Sequence, residues 1–251
     1  MEGRITFAGS PWPNGHRILE CALTADLQRF TDPLGDGTRS DLRLAFGIEL
    51  RTADYDEEPP STSDDDPAAT DWTSPGAWTN YGSCRLGPSE SSQTPGITVS
   101  DGSVPFTFDL PEYRFTADAL PVEWDRFMAS AAFGIYLQGH DAVAGHDIWL
   151  HDRQEDGSYT VEWSGRIASA YIGHTTFDYS FTAHVTGVRF ESVRMFDFDA
   201  ERMADYFGLG WDPTRTPRDE LAPFVVDVDA FTFERRDQGH GRPVVHAIPP
   251  S

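Results

Sequence analysis

The chain reads as a mainly β protein, an antiparallel β-sandwich or flattened barrel with one or two short helices near its C-terminus. Three observations predict this. Segments of apolar/polar alternation recur along the sequence, turn-forming residues separate them, and successive segments lie close enough to pair as hairpins and meanders. One domain over residues 1–251 is expected, since β folds often reach this length. A composition of 39% hydrophobic and 13% aromatic residues supplies a sizeable core.

In chain order, Leu19, Cys21, Leu23, Ala25 and Leu27 alternate with Glu20, Thr24, Asp26 and Gln28, which predicts a long strand with one buried face. The pattern returns at Leu42, Leu44, Phe46, Ile48 and Leu50 after a turn-rich stretch from Asp32 to Gly37, so the two strands are expected to pair antiparallel. From about 53 to 94 the alternation stops. Residues 54–66 are acidic and carry Pro59-Pro60, and Ser, Pro, Gly and Thr dominate residues 67–94. Such composition buries little apolar surface, which predicts a long acidic, polar loop, a candidate binding segment. Trp72, Trp78 and Tyr81 predict that its second half folds back.

Strands are expected again at 96–100, 104–110 and 113–116. Phe127 to Leu137 is apolar on both faces, which predicts a central strand. Segments 147–150 and 159–163 flank Asp156-Gly157, a hairpin signal, and 166–172, 177–186 and 188–196 continue the meander. A helix is expected from an Asp199 N-cap through Met203, Ala204 and Phe207 to Gly208. A shorter turn is expected at Thr216-Pro217, with Asp219 completing the cap. Residues 224–233 read as a final strand, followed by an irregular arm from about 238.

Charge narrows the partners. Against 41 acidic residues stand 19 basic ones, for a net charge of −22. That field repels phosphate backbones and anionic headgroups, which argues against nucleic acid and membrane surfaces and favours a basic protein partner. All the basic residues are arginine, a usage typical of GC-rich bacterial genomes. Without lysine, Schiff-base chemistry and P-loop phosphate binding are excluded. The opening Met1 to Phe7 lacks the basic and apolar regions of a signal peptide, no apolar run approaches the ~20 residues of a membrane span, and the two cysteines, Cys21 and Cys84, have no metal-type spacing. A cytoplasmic location is expected.

Three His-Asp pairs succeed one another: His140-Asp141, His146-Asp147 and His151-Asp152. Imidazole with carboxylate suits zinc, iron or manganese, or acid/base catalysis. In a strand over 147–150, however, His146 shares a face with Ile148 and Leu150, while His151 lies on the other face with Asp147 and Trp149, so one metal cannot use both. A divalent metal site would therefore combine His140, Asp141 and either His146 or His151 with a residue such as His184. This spacing matches no cupin or zincin motif. Glu162 and Asp178 on adjacent strands form a candidate carboxylate pair for glycoside hydrolysis. Trp149 and Trp163, side by side in the hairpin, would offer a sugar-stacking platform or simply pack the core. Cys84 beside Arg85 is the one candidate for an activated thiol.

Three functions fit these residues: a non-catalytic acidic β-scaffold that binds a basic protein, a metal-dependent hydrolase-like enzyme centred on residues 140–152, and a carbohydrate-binding module.

Overall fold

Among the described residues the chain forms thirteen strands: β1 (Glu2–Phe7), β2 (His16–Thr31), β3 (Ser40–Thr52), β4 (Arg85–Gly87), β5 (Ile97–Ser100), β6 (Tyr113–Ala117), β7 (Gly134–Tyr136), β8 (His140–His151), β9 (Tyr159–Ala168), β10 (Tyr179–Val188), β11 (Phe190–Phe196), β12 (Thr232–Asp237) and β13 (Pro243–Ile248). Among the described residues, two short α-helices, α1 (Trp124–Ser130) and α2 (Pro217–Leu221), accompany them. The computed structural model describes residues 1–10, 12–31, 40–55, 82–88, 95–196, 216–237 and 243–250. The strands run in the order β2-β1-β10-β9-β8-β7-β4-β3, and β3 pairs back onto β2. This closes an eight-stranded antiparallel barrel, to which β5, β6, β11, β12 and β13 are added. The mainly β fold with few short helices is therefore as the sequence predicts. No helix among the described residues is long and apolar enough to cross a membrane.

The chain packs as two compact units whose segments alternate along the sequence. One comprises Met1–Leu23, Gly47–Ile97 and Leu110–Arg189; the other comprises Thr24–Phe46, Thr98–Asp109 and Phe190–Ser251. In the first unit, Ile5, Phe7, Ile48, Leu50, Ile148, Leu150, Val161, Trp163, Phe181 and Val185 are buried, each at an alternate position of its strand, and Phe133, just before β7, is buried with them. β8 is long enough to serve three neighbours. It pairs with β9 on one edge, and its other edge takes β7 at its start and β6 further on.

The expected central strand over 127–137 divides instead into α1 and the three-residue β7. Glu123 caps α1, accepting from the backbone N–H groups of Asp125 and Arg126. Trp124, Phe127 and Ala131 fall at helical spacing, and Phe127 and Ala131 pack on the small residues Ala142, Ala144 and Ala168. A helix fits there because alanine leaves room for it. The alternation of Phe133, Ile135 and Leu137 survives as buried positions.

In the second unit, Ala25, Leu27, Leu44, Val193, Met195, Leu221, Phe224, Val225, Phe231, Val245 and Ala247 form the core. Thr216 and Asp219 cap α2 reciprocally, as their spacing predicts. Three expectations are corrected here. Residues 104–110 make only an isolated bridge, Phe106 to Val225, because bonds of the Ser100 hydroxyl and the Asp101 carboxylate to nearby backbone groups turn the chain. The expected strand over 224–233 is mostly turn, with a 3-10 segment at Val228–Ala230, and β12 begins only at Thr232. The expected irregular arm contains β13, which lies between β11 and β12. The expected helix from Asp199 to Gly208, and most of the 53–94 loop including Trp72, Trp78 and Tyr81, lie outside the described residues.

Candidate functional site

Antiparallel register lines up two polar rows on the outward face of β6-β8-β9-β10-β1. Arg114 stands opposite Trp149, Trp149 opposite Glu162, Glu162 opposite His184, and His184 opposite Arg4. The next row runs Thr116, Asp147, Ser164, Thr182 and Thr6. Apart from Thr116, the residues of these rows line an open concavity of about 380 Å³. Sharing Thr6 and Thr182 with it, a second concavity of about 390 Å³ extends over residues 7–10 with Trp12, Pro13, Ser180 and Phe181.

The face presents an apolar ring among hydrogen-bonding groups. Trp149 is 37% exposed, and the His151 ring stacks on it with centroids 4.1 Å apart at 29°. Arg114 grips Asp147 with two hydrogen bonds of 3.0 and 2.7 Å, which holds the Asp147 carboxyl below its usual range. Arg4 donates to the carbonyls of Asn14 and Gly15 at 2.7 and 2.8 Å. Glu162 lies between two imidazoles, its Oε1 3.6 Å from His151 Nε2 and 3.9 Å from His184 Nδ1. Among the described residues no side chain hydrogen-bonds His151 Nε2. A ring face, a carboxylate, the His184 imidazole and hydroxyls within one concavity can hold a ligand through stacking and hydrogen bonds together.

The candidate metal ligands are dispersed. His140 is exposed and sits edge-on to Tyr136. Asp141 is buried, accepts from the backbone N–H groups of Gln138 and Gly139, and has its carboxyl raised by burial. His146 points into the barrel among Phe133, Trp163 and Phe181. Trp163 Nε1–H donates to His146 Nδ1 at 3.1 Å, and burial pushes the imidazole down to about 4. Only His151 and His184 meet, through Glu162. Among the described residues, no group of three or more His, Cys, Asp or Glu side chains is placed to hold a metal ion.

The expected tryptophan platform is also corrected. Ile148, not Trp149, stands opposite Trp163, so the two indoles project to opposite faces and Trp163 is 1% exposed. Glu162 and Asp178 do not pair either. Asp178 precedes β10, six residues from the His184 position opposite Glu162, a separation of roughly 20 Å along the strand. Cys84 is buried and its thiol is pushed well up by burial, the reverse of activation.

Sequence reasoning passed over two features. Asp118, at φ 51°, places its carboxylate 3.8 Å from His146 Nε2 and accepts from Ala132 N–H at 2.9 Å. In the second unit, Ser192 Oγ on β11 and His246 Nδ1 on β13 share a buried hydrogen bond of 2.8 Å. Both depend on strand register between distant segments, and neither leaves a local motif. Comparison of the chain with protein-family models, curated proteins and solved structures finds no match.

Proposed function

We propose that the protein is a non-catalytic binding protein and that the outward face of β6-β8-β9-β10-β1 is its binding surface. One observation carries this reading: the exposed Trp149 ring lies in a concavity of about 380 Å³ surrounded by Glu162, His184, Ser164 and Thr182. An indole kept at the surface costs apolar exposure that burial would recover, and a bound ligand offsets that cost. A basic protein partner, favoured by the net charge of −22, is the alternative occupant, and its affinity would fall steeply with salt. Cys21 and Cys84, neither in a disulfide, accord with a cytoplasmic setting.

The test uses protein labelled with 5-fluorotryptophan, with the Trp149 signal assigned from Trp149→Phe. A mixed library of metabolites, saccharides and basic peptides is screened by ¹⁹F NMR. The reading expects a ligand that shifts the Trp149 signal and leaves Trp163 unmoved. A library without effect on Trp149, or ligands that act only elsewhere, would overturn it.

A further inference from the structure

We infer that the ligand of this face is a neutral oligosaccharide, an inference that rests on the binding reading above. Charge is the first argument. The concavity is lined by two cations, Arg4 and Arg114, and two anions, Asp147 and Glu162, so its formal charge is zero in a chain of −22. Asp147 is already neutralised by its two-point bond to Arg114. A cationic ligand therefore finds one remaining carboxylate here, and an anionic ligand meets the repulsion of the whole chain. An uncharged ligand meets neither obstacle.

Chemistry is the second argument. A sugar ring has an apolar C–H face and a rim of hydroxyls that both donate and accept. The indole of Trp149, held by the stacked His151 ring, offers the flat apolar surface. Glu162 accepts only, Ser164 and the His184 imidazole accept or donate, and Glu162 reaches its two imidazole neighbours only at 3.6 and 3.9 Å. Hydroxyls of a ligand can take up the unspent capacity of Glu162, Ser164 and His184, which line the concavity.

Length is the third argument. Trp149, Glu162, His184 and Arg4 occupy four successive strands, which at ~4.8 Å per strand span about 14 Å. The second concavity then continues from Thr6 and Thr182. The footprint suits a short chain of sugars running across the strands, with one ring on Trp149.

The experiment is calorimetric titration of the whole protein with a panel of neutral trisaccharides (cellotriose, maltotriose, mannotriose, xylotriose and chitotriose), alongside an oligo-arginine peptide and a heparin-derived tetrasaccharide. Trp149→Ala and His184→Ala are run in parallel, with Glu162→Ala as a third variant and melting curves to establish that each is folded. The expected result is saturable binding of at least one neutral trisaccharide, equal in low and high salt, and about tenfold or more weaker in Trp149→Ala and Glu162→Ala. Binding of only the arginine peptide or the heparin fragment, lost in Trp149→Ala, would overturn the saccharide assignment and leave the binding face standing. Binding of a trisaccharide that the variants do not weaken would overturn the assignment to this face. If no probe binds, the saccharide inference fails, and the fluorotryptophan screen decides separately whether the face binds anything.

Discussion

The hairpin β8–β9 carries two tryptophan–histidine pairs on its two sides, and they live in opposite environments. Inside, Trp163 and His146 are both buried and joined by a 3.1 Å hydrogen bond. Outside, Trp149 and His151 stack at 4.1 Å with Trp149 partly exposed. The same two side chains thus work by different physics. In the dry interior the indole N–H must find an acceptor, and the imidazole that provides one is kept neutral. On the wet face the pair meets ring to ring, and His151 Nδ1 sits 3.0 Å from the Asp152 carboxylate. Residue type alone does not assign a role; the side of the strand does.

The inner pair gives the largest effect. Trp163→Ala removes a buried ring in contact with Phe133 and Phe181, and the expected loss is about 3–5 kcal/mol of stability. Trp163→Phe keeps most of the volume and strands His146 Nδ1 without its donor, at a cost of about 1–3 kcal/mol. Urea denaturation midpoints at neutral pH separate the two. Equal losses would mean that the hydrogen bond, not the packing, dominates the inner pair.

Acid comes next. His146 is held at about 4 in the fold against an ordinary 6.5, so the unfolded chain takes up a proton first as pH falls. Its contribution is fully present above about 6.5 and is lost between there and 4, by roughly 2 kcal/mol at pH 5. Asp118 and Asp141, raised by burial, have the opposite sign, since the folded state binds their protons more readily near the bottom of that range. His146→Gln, which retains an acceptor for Trp163, should flatten the decline of the melting point between pH 6.5 and 5. An unchanged slope in the variant would assign the acid sensitivity to other groups.

The same hairpin marks how much of this contrast is legible in the sequence. Alternation along 146–151 separates His146, Ile148 and Leu150 from Asp147, Trp149 and His151, and the structure places them so. What alternation does not state is the register across the turn. Asp152 at φ 52° and Gly157 at φ 79° shape a connection that sets Ile148 against Trp163, and a shift of one residue in pairing exchanges the faces. The expected tryptophan pair fails on that single step. The rows that build the concavity likewise join Arg4, from the first strand, to residues some 180 positions later. Helix α1 is hidden because Phe127 to Leu137 is apolar in both the helical and the strand period, and the alanines that receive it lie on β8 and β9. β13 is hidden because Val244 to Ala247 is buried without alternation, as befits a strand enclosed by two neighbours.

The outer pair should give the smallest effect, and the most informative one. Trp149→Ala removes one stacked aromatic contact, for which about 1 kcal/mol is expected, several times less than Trp163→Ala. Because the two indoles lie on opposite sides of the hairpin, they share backbone but no side-chain contact, and separated sites add. The double variant Trp149→Ala/Trp163→Ala should therefore lose the sum of the single losses to within about 0.5 kcal/mol. Additivity would mean that the outer ring contributes to the fold only through its own stack, independently of the inner pair, and its place on the surface would then be best explained by the proposed ligand. A loss well short of the sum would mean that the outer stack stiffens the same strands that the inner pair holds, and the exposed tryptophan would then be accounted for by stability alone.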